Sequence, residues 1–352
     1  MDENDRLLYL NRREVEQSCQ VLDSIDILRE VFRLHGAEQT ILPDESYLGW
    51  QNSLGEHVRS LNMPGYVGGT INSVGTKIIN GNINNYKHGY PRASGLTLLH
   101  HPTTGRPYCI MEGAYISSLR TASVSLLASQ ELKGPEIERV GIIGAGVQAQ
   151  AHIALLLKER QRRYPHLRQV LLFDLSEERS QALQASLTPM LEQNAIELRI
   201  LRSPEEVVRQ AQLIIPLTTT TEGYIPFAWL QPGAILVNVS LDDVLPEVVL
   251  KADSVIVDDW MLVKSDPRRL IGRMYRAGQV LGPDEAMSTQ QQSYRRIDAQ
   301  LGDVITGTRE GRRSIDDIIL VNPFGLALED VAIATSVYHH ARELRLGTWL
   351  ER

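Results

Sequence analysis

The chain has 352 residues, 43% of them hydrophobic and 22% charged, the make-up of an ordinary globular protein; at about 150 residues per domain this length suggests two domains. Its 36 Lys+Arg stand against 43 Asp+Glu, a net charge of −7 with no basic run. That balance argues against a nucleic-acid binder but not against a small anionic ligand, and no apolar run approaches the ~18 residues of a membrane span.

The chain opens on Met1-Asp2-Glu3-Asn4-Asp5, the reverse of a signal or transit peptide, and a cytoplasmic protein is expected. Ile25, Leu28, Val31 and Phe32 fall on one face of a helix over 25–35. Turn signals then separate short β-like runs: Asn62-Met63-Pro64-Gly65, Gly68-Gly69, Asn80-Gly81 and Thr103-Thr104-Gly105. The run 96–99 followed by 102–107 reads as a hairpin. Cys19 and Cys109 make no zinc, CxxC or disulfide spacing, which fits a reducing compartment and no metal site. Cys109 sits in an apolar run and is expected to be buried.

A set of cations in this region has unusual neighbours. Arg59 precedes a turn, Lys77 lies between Gly75 and Asn80-Gly81, Arg92 follows Tyr90-Pro91, and Arg120 sits in the small, apolar segment Ser117-Ser118-Leu119-Arg120-Thr121-Ala122 of a helix expected over 115–132. Each is either a surface or structural ion-pair member or a carboxylate receptor, a task for which arginine is well suited. His100-His101 and His339-His340 are sequence neighbours that cannot converge on one metal and read as surface or turn residues.

Lys133-Gly134-Pro135 marks a break. Beyond it, β-branched apolar runs at 140–143, 170–173, 196–201, 213–217, 234–239 and 254–257 alternate with helix-length stretches such as 149–160 and 177–190. Continuous apolar runs are strands buried on both faces, and the alternation predicts a parallel, doubly wound α/β sheet. The first strand leads into Gly144-Ala145-Gly146-Val147-Gln148-Ala149, a GxGxxA turn. Gly144 permits the tight turn, Gly146 lets backbone N–H groups approach a pyrophosphate, and Ala149 packs helix on strand; a glycine turn used only for packing is the alternative. Asp174 ends the next strand, where an acid can bind both ribose hydroxyls and repel a 2′-phosphate, favouring NAD, whereas Arg179 is the nearby cation that would suit NADP. Thr218 to Thr221 follow another strand end, as a turn or as hydroxyls facing a cofactor. Asp242-Asp243 and Asp258-Asp259 follow two more strand ends and are either acid/base groups or caps and loop acids. A last helix is expected over 326–346, outside the alternating pattern.

Gly75-Thr76-Lys77 with Asn80-Gly81, Ser118-Leu119-Arg120-Thr121-Ala122, the glycine turn at 144–149, and Gly325-Leu326-Ala327-Leu328-Glu329-Asp330 resemble, in order along the chain, the ornithine cyclodeaminase/μ-crystallin family. The resemblance implies a Rossmann domain over 131–319 and a β-rich α+β substrate-binding and dimerisation domain made of 1–130 and 320–352. It implies a homodimer acting on a small amino acid, with NAD bound by Gly144, Gly146, Val147, Gln148, Asp174, Thr219 and Ser240. It also implies substrate-carboxylate binding by Arg59, Lys77 and Arg120, with Lys77 counted in the catalytic set beside the acid/base Asp243.

Within the family, Leu8-Tyr9-Leu10-Asn11-Arg12, Arg92-Ala93-Ser94-Gly95, Val257-Asp258-Asp259-Trp260 and Leu320-Val321-Asn322-Pro323-Phe324-Gly325 are similar to the branch that oxidises N-(2-amino-2-carboxyethyl)-L-glutamate to release 2,3-diaminopropionate. Cyclodeaminases, by the same resemblance, carry threonine where Arg92 stands, a Ser-Val-Gly type stretch at 322–325, and two glycines before the acid where this chain has Leu241-Asp242. Ornithine has one carboxylate and the glutamate adduct has three, so Arg92 implies a polyanionic substrate unless it pairs with a protein acid.

Overall fold

The structure, a computed structural model, describes residues 6–240, 242–286 and 294–351; the segment 1–5 and Leu241, both used above, lie outside the described residues. The chain divides into two compact units, Met1–Arg120 with Gly325–Arg352, and Thr121–Phe324. Both differ from the junctions expected at 130/131 and 319/320. The first division falls inside the continuous helix Ala114–Glu131. The second moves because Ile319–Asn322 is a strand of the second unit, paired in parallel with both Ile235–Val237 and Ser254–Val257. This short apolar run belongs to the interior of the sheet rather than to the tail.

In the first unit an eight-stranded mixed sheet carries the β-rich segment. His57–Val67, Ser73–Asn82, Ala93–His100 and Pro107–Glu112 pair antiparallel in succession, the last two forming the expected hairpin. Arg6–Leu10 joins Pro107–Glu112 in parallel, and Thr348–Glu351 pairs antiparallel with Arg6–Leu10, so the first and last described strands are neighbours in this sheet. Burial alternates along His57–Val67, with Leu61, Met63 and Val67 buried, as one covered face requires. The cover is helix Ala327–Glu343, which packs on the sheet and on helix Ser24–Gly36. Its residues Val331, Ile333 and Val337 are fully buried, each stabilising the layer by about 1.5–3 kcal/mol.

The second unit holds eight strands, in the order Glu197–Ile200, Gln169–Phe173, Arg139–Ile143, Leu213–Pro216, Ile235–Val237, Ile319–Asn322, Ser254–Val257, Ala299–Gln300. Every pairing is parallel. Helices Val147–Lys158 and Glu177–Asn194 connect strands, and this is the α/β Rossmann architecture the alternation predicts. The order reverses between Arg139–Ile143 and Leu213–Pro216, the topological switch point at which such sheets bind ligands beyond the strands' carboxyl ends.

Cys19 and Cys109 are buried free thiols, and burial pushes Cys109 up to about 12, as a small core hydrophobe requires. His101 and His339 are exposed, while His100 and His340 are half-buried. Among the described residues no helix is long and apolar enough to cross a membrane, and no group of three or more His, Cys, Asp or Glu is placed to hold a metal ion.

Candidate active site

In the first unit Lys77 and Arg59 fall on one face of the sheet, Arg92 just precedes strand Ala93–His100, and Arg120 stands on helix Ala114–Glu131. Lys77 lies opposite Met63 and Thr97, and Gly81 opposite Arg59 and Ala93. Lys77 and Gly81 are four residues apart on one strand, so they point to the same side about 13 Å apart. The two ends of that face differ. Lys77 is fully buried under the first turn of helix Ala327–Glu343, where its ammonium donates to Asp330 Oδ2 at 2.8 Å and to Ser117 Oγ at 3.4 Å. Arg120 Nη1 donates to Glu329 Oε2 at 2.9 Å, and its Nε lies 3.4 Å from Asp330 Oδ2. Acids in a helix's first turn are favoured by the helix dipole, and here each also meets a buried cation. Burial, then the Arg120 charge, push the Lys77 ammonium below the usual lysine value against the pull of Asp330.

Gly325 makes room for this arrangement. Its φ of +94° is left-handed, and a methyl group there would overlap the Arg120 guanidinium. The glycine that opens the Gly325–Asp330 motif thus has a steric reason that lies more than 200 positions up the chain.

The other end of the face is less buried. Arg59 is half-buried and Arg92 exposed; a side chain at Gly81 would meet Arg92 O at 3.3 Å and Arg59 Nε at 3.7 Å, which places both residues around one glycine. Desolvation, then the Arg59 charge, hold the Arg92 guanidinium below its ordinary value. Among the described residues the Arg92 guanidinium has neither a hydrogen bond nor an ion pair, so no described acid is its partner.

In the second unit the glycine turn lies at the switch point. Gly144 has φ +105°, and a Cβ there would stand 2.9 Å from Leu217 O on the neighbouring strand end, so only glycine fits. Gly146 is different: a Cβ there meets nothing within 4 Å. Gly146 is also the N-cap of helix Val147–Lys158 and supplies no side-chain cap, leaving the first-turn N–H groups for an outside acceptor. Val147 is exposed, and Gln148 Oε1 is buried without a partner among the described residues. Asp174 Oδ2 accepts from Ala145 N at 2.7 Å and Oδ1 from Ser176 N at 2.8 Å, which fixes the carboxylate beside the turn. These features fit a dinucleotide: an open cradle, uncapped N–H groups and an oriented acid. Thr219 is exposed beyond the strand end, and Ser240 Oγ donates to Thr218 O at 2.9 Å.

The paired acids separate in role. Asp259 caps helix Trp260–Ser265 by accepting from Leu262 N at 2.7 Å, and Asp258 Oδ1 accepts from Asp259 N; this is the capping alternative. Asp242 is held by the Arg273 guanidinium. Asp243 is 0% exposed and has no cationic partner in an ion pair among the described residues. Its Oδ1 accepts from Thr218 Oγ1 at 2.6 Å and Tyr224 Oη at 2.9 Å, while Oδ2 is buried with no hydrogen-bond partner among the described residues. Burial raises its proton affinity against the pull of these donors, which suits a general base near neutral pH. Tyr224 escaped sequence reading because it stands in a loop with no periodicity; the only signal was the threonine run ahead of it. Arg269, equally unforeseen, donates to Pro323 O and Phe324 O at 2.9 and 2.8 Å and stacks over the Phe324 ring at 4.3 Å, pinning the Asn322-Pro323-Phe324 turn.

A parallel sheet with this turn and acid defines the dinucleotide-binding class of α/β fold. The profile of the ornithine cyclodeaminase/mu-crystallin family matches residues 8–345, and the chain belongs to that family. It is 32% identical, over 99% of both chains, to N-((2S)-2-amino-2-carboxyethyl)-L-glutamate dehydrogenase of Staphylococcus aureus. It is 25% identical, over 97% of both, to alanine dehydrogenase of Archaeoglobus fulgidus. Among solved structures, CmnK superposes with a TM-score of 0.87 at 35% identity, covering 99% of this chain and 98% of that one. Delta(1)-pyrroline-2-carboxylate reductase of Thermococcus litoralis shares the fold, with a TM-score of 0.83 at 23% identity over 97% of this chain and 99% of that one.

Proposed function

We propose that the protein is an NAD-dependent dehydrogenase that converts N-(2-amino-2-carboxyethyl)-L-glutamate and water to 2-oxoglutarate and L-2,3-diaminopropionate. The observation that carries this reading is Arg92. A guanidinium with no acid partner among the described residues, beside a second arginine, calls for an anionic ligand with more than one carboxylate. The S. aureus relative, named for this substrate and similar end to end, supports the same choice.

Arg59 and Arg92 hold substrate carboxylates as bidentate receptors, and Lys77 and Arg120 contribute the family's carboxylate contacts from their acid-anchored positions. Gly144, Gly146, Val147, Gln148, Asp174, Thr219 and Ser240 hold NAD, which when bound supplies the two-electron acceptor for the glutamate Cα–H. Asp243 takes the proton of the bridging amine through Oδ2 as that carbon becomes an imine and returns it to the imine nitrogen; the carboxylate so regenerated then takes a proton from the water that attacks the imine carbon and passes it to the departing amine. Fixing the carboxylates orients the Cα–H, a positioning effect. The chain works as a homodimer, a reading supported by the exposed Tyr47, Leu48 and Trp50 on strand Ser46–Gln51, and its product supplies a siderophore or nonribosomal peptide pathway.

The purified protein with the glutamate adduct and NAD yields net NADH, 2-oxoglutarate and 2,3-diaminopropionate in equal amounts. Proline and ammonia from ornithine, with no net NADH, overturn the reading.

A further inference from the structure

The loop between Leu217 and Ile225 is joined to Asp243 twice over. Its side chains Thr218 and Tyr224 both donate to Oδ1 of the Asp243 carboxylate. Its backbone donates as well: Tyr224 N and Ile225 N each reach the Asp243 carbonyl at 3.0 Å, and Ile225 bridges in parallel to Val244. The result is asymmetric. One carboxylate oxygen carries two hydroxyl donors and the other, buried, carries none among the described residues.

We propose that Tyr224 and Thr218 are positioning residues that saturate Oδ1 of Asp243 and leave Oδ2 as the only oxygen available for proton transfer. This deepens the reading above and rests on Asp243 being the acid/base group. A carboxylate free to rotate presents either oxygen in several orientations. A carboxylate with one oxygen tied by two hydroxyls presents the other in one. Hydrogen bonds to the charged form also favour it, so the same pair offsets the burial that favours the neutral acid.

The surroundings leave these hydroxyls as the groups that tune Asp243. Ser240, from the loop after strand Ile235–Val237, gives its hydroxyl proton to Thr218 O and by its nearness favours the charged form, and Asp242 opposes it by like charge. The Asp242 charge is itself met by Arg273 from helix Leu270–Arg276. The phenol of Tyr224 is pushed well up by burial and by the Asp243 carboxylate, so it stays a donor wherever Asp243 is ionised.

The test has a kinetic and a direct arm, both on the full-length protein. With N-(2-amino-2-carboxyethyl)-L-glutamate and NAD, the acid limb of kcat/KM moves up by about one pH unit in Tyr224→Phe, since a lost hydrogen bond to an ionised group is of that size, and kcat falls more than KM rises. Thr218→Val gives the same sign, and Thr218→Ser, which restores the hydroxyl, returns the wild-type profile. In the direct arm, carbon-13 NMR of the aspartate carboxyls identifies Asp243 as the resonance lost in Asp243→Asn and follows its titration without substrate. A titration unchanged in both Tyr224→Phe and Thr218→Val overturns the proposal. If Asp243→Asn keeps full activity, the acid/base reading itself fails, and the NMR arm still decides whether the hydroxyls govern this carboxylate.

Discussion

Lys77 and Asp330 stand 253 positions apart in the chain, yet the ammonium lies 2.8 Å from the carboxylate with 1% and 0% of the two side chains exposed. A charge this deeply buried persists only with its partner. The pair therefore joins the sheet to the helix that covers it, and it sets what each substitution there costs.

Asp330→Asn leaves the Lys77 ammonium in place with a neutral partner, and the first unit loses about 3–5 kcal/mol of stability. Lys77→Met leaves Asp330 with Arg120 and costs less. The double variant, Lys77→Met with Asp330→Leu, is more stable than Asp330→Asn alone, because no uncompensated charge remains. Urea denaturation of the three variants measures this; a double variant no better than the single one removes the buried pair as the reason.

Arg92→Thr raises KM for the tricarboxylate adduct by about tenfold or more, the size of one lost charge-assisted contact, with a smaller change in kcat. Arg92→Lys restores little, since lysine lacks the planar fork. Thermal stability stays at the wild-type value in both, because the guanidinium has no hydrogen bond or ion pair within the described residues. Steady-state kinetics on the adduct check this, and unchanged KM in Arg92→Thr takes Arg92 out of the substrate set.

Asp243→Asn lowers kcat by about 10²–10⁴, the usual worth of a general acid/base, while leaving NAD binding intact. In the wild type the activity falls with acid above the ordinary aspartate value of about 4, because burial has raised the group and protonation removes the base. A pH profile of kcat/KM with no break above pH about 4 would contradict this assignment.

The two glycines of the turn respond differently to alanine. Gly144→Ala forces a side chain into a left-handed residue against Leu217 O and lowers the melting temperature. Gly146→Ala meets no protein atom, so the melting temperature holds while NAD affinity falls, because the methyl group occupies the cradle. Differential scanning calorimetry beside NAD titration separates the two effects; equal losses of stability would show that Gly146 serves packing instead.

The second unit was largely legible in the sequence because its signals are local. Runs such as Ser254–Val257 announce strands buried on both faces, and the Gly144 turn sits between a strand and a helix that each declare themselves by their own periodicity. The edge strand Ala299–Gln300 carries no such run, and Ile319–Asn322 is a second exception. Read alone it is a short apolar run ahead of the tail, and nothing in four residues says that it inserts between strands Ile235–Val237 and Ser254–Val257.

The candidate site divides in the same way. Residue type and neighbourhood drew attention to Arg59, Lys77, Arg92 and Arg120 and to two acid pairs at strand ends, and the family resemblance chose Asp243 among the acids. Their partners were not legible. Glu329 and Asp330 were visible as a motif, but that they neutralise Lys77 and Arg120 while no described acid meets Arg92 depends on which strands and helix the chain stacks. Tyr224 and Thr218 meet Asp243 only because loop and strand end are brought together.

By itself the sequence determined the α/β class, the nucleotide-type turn and which charges were out of place, because each follows from periodicity and chemistry over a few neighbours. The tertiary structure alone decided which cations are satisfied within the protein and which oxygen of Asp243 has no partner, because a buried charge or lone pair is answered by whatever the fold places beside it, however distant in the chain. The net charge of −7 illustrates the difference: a sum over the chain excludes a large polyanion, and only the local pairing says where a small one is wanted.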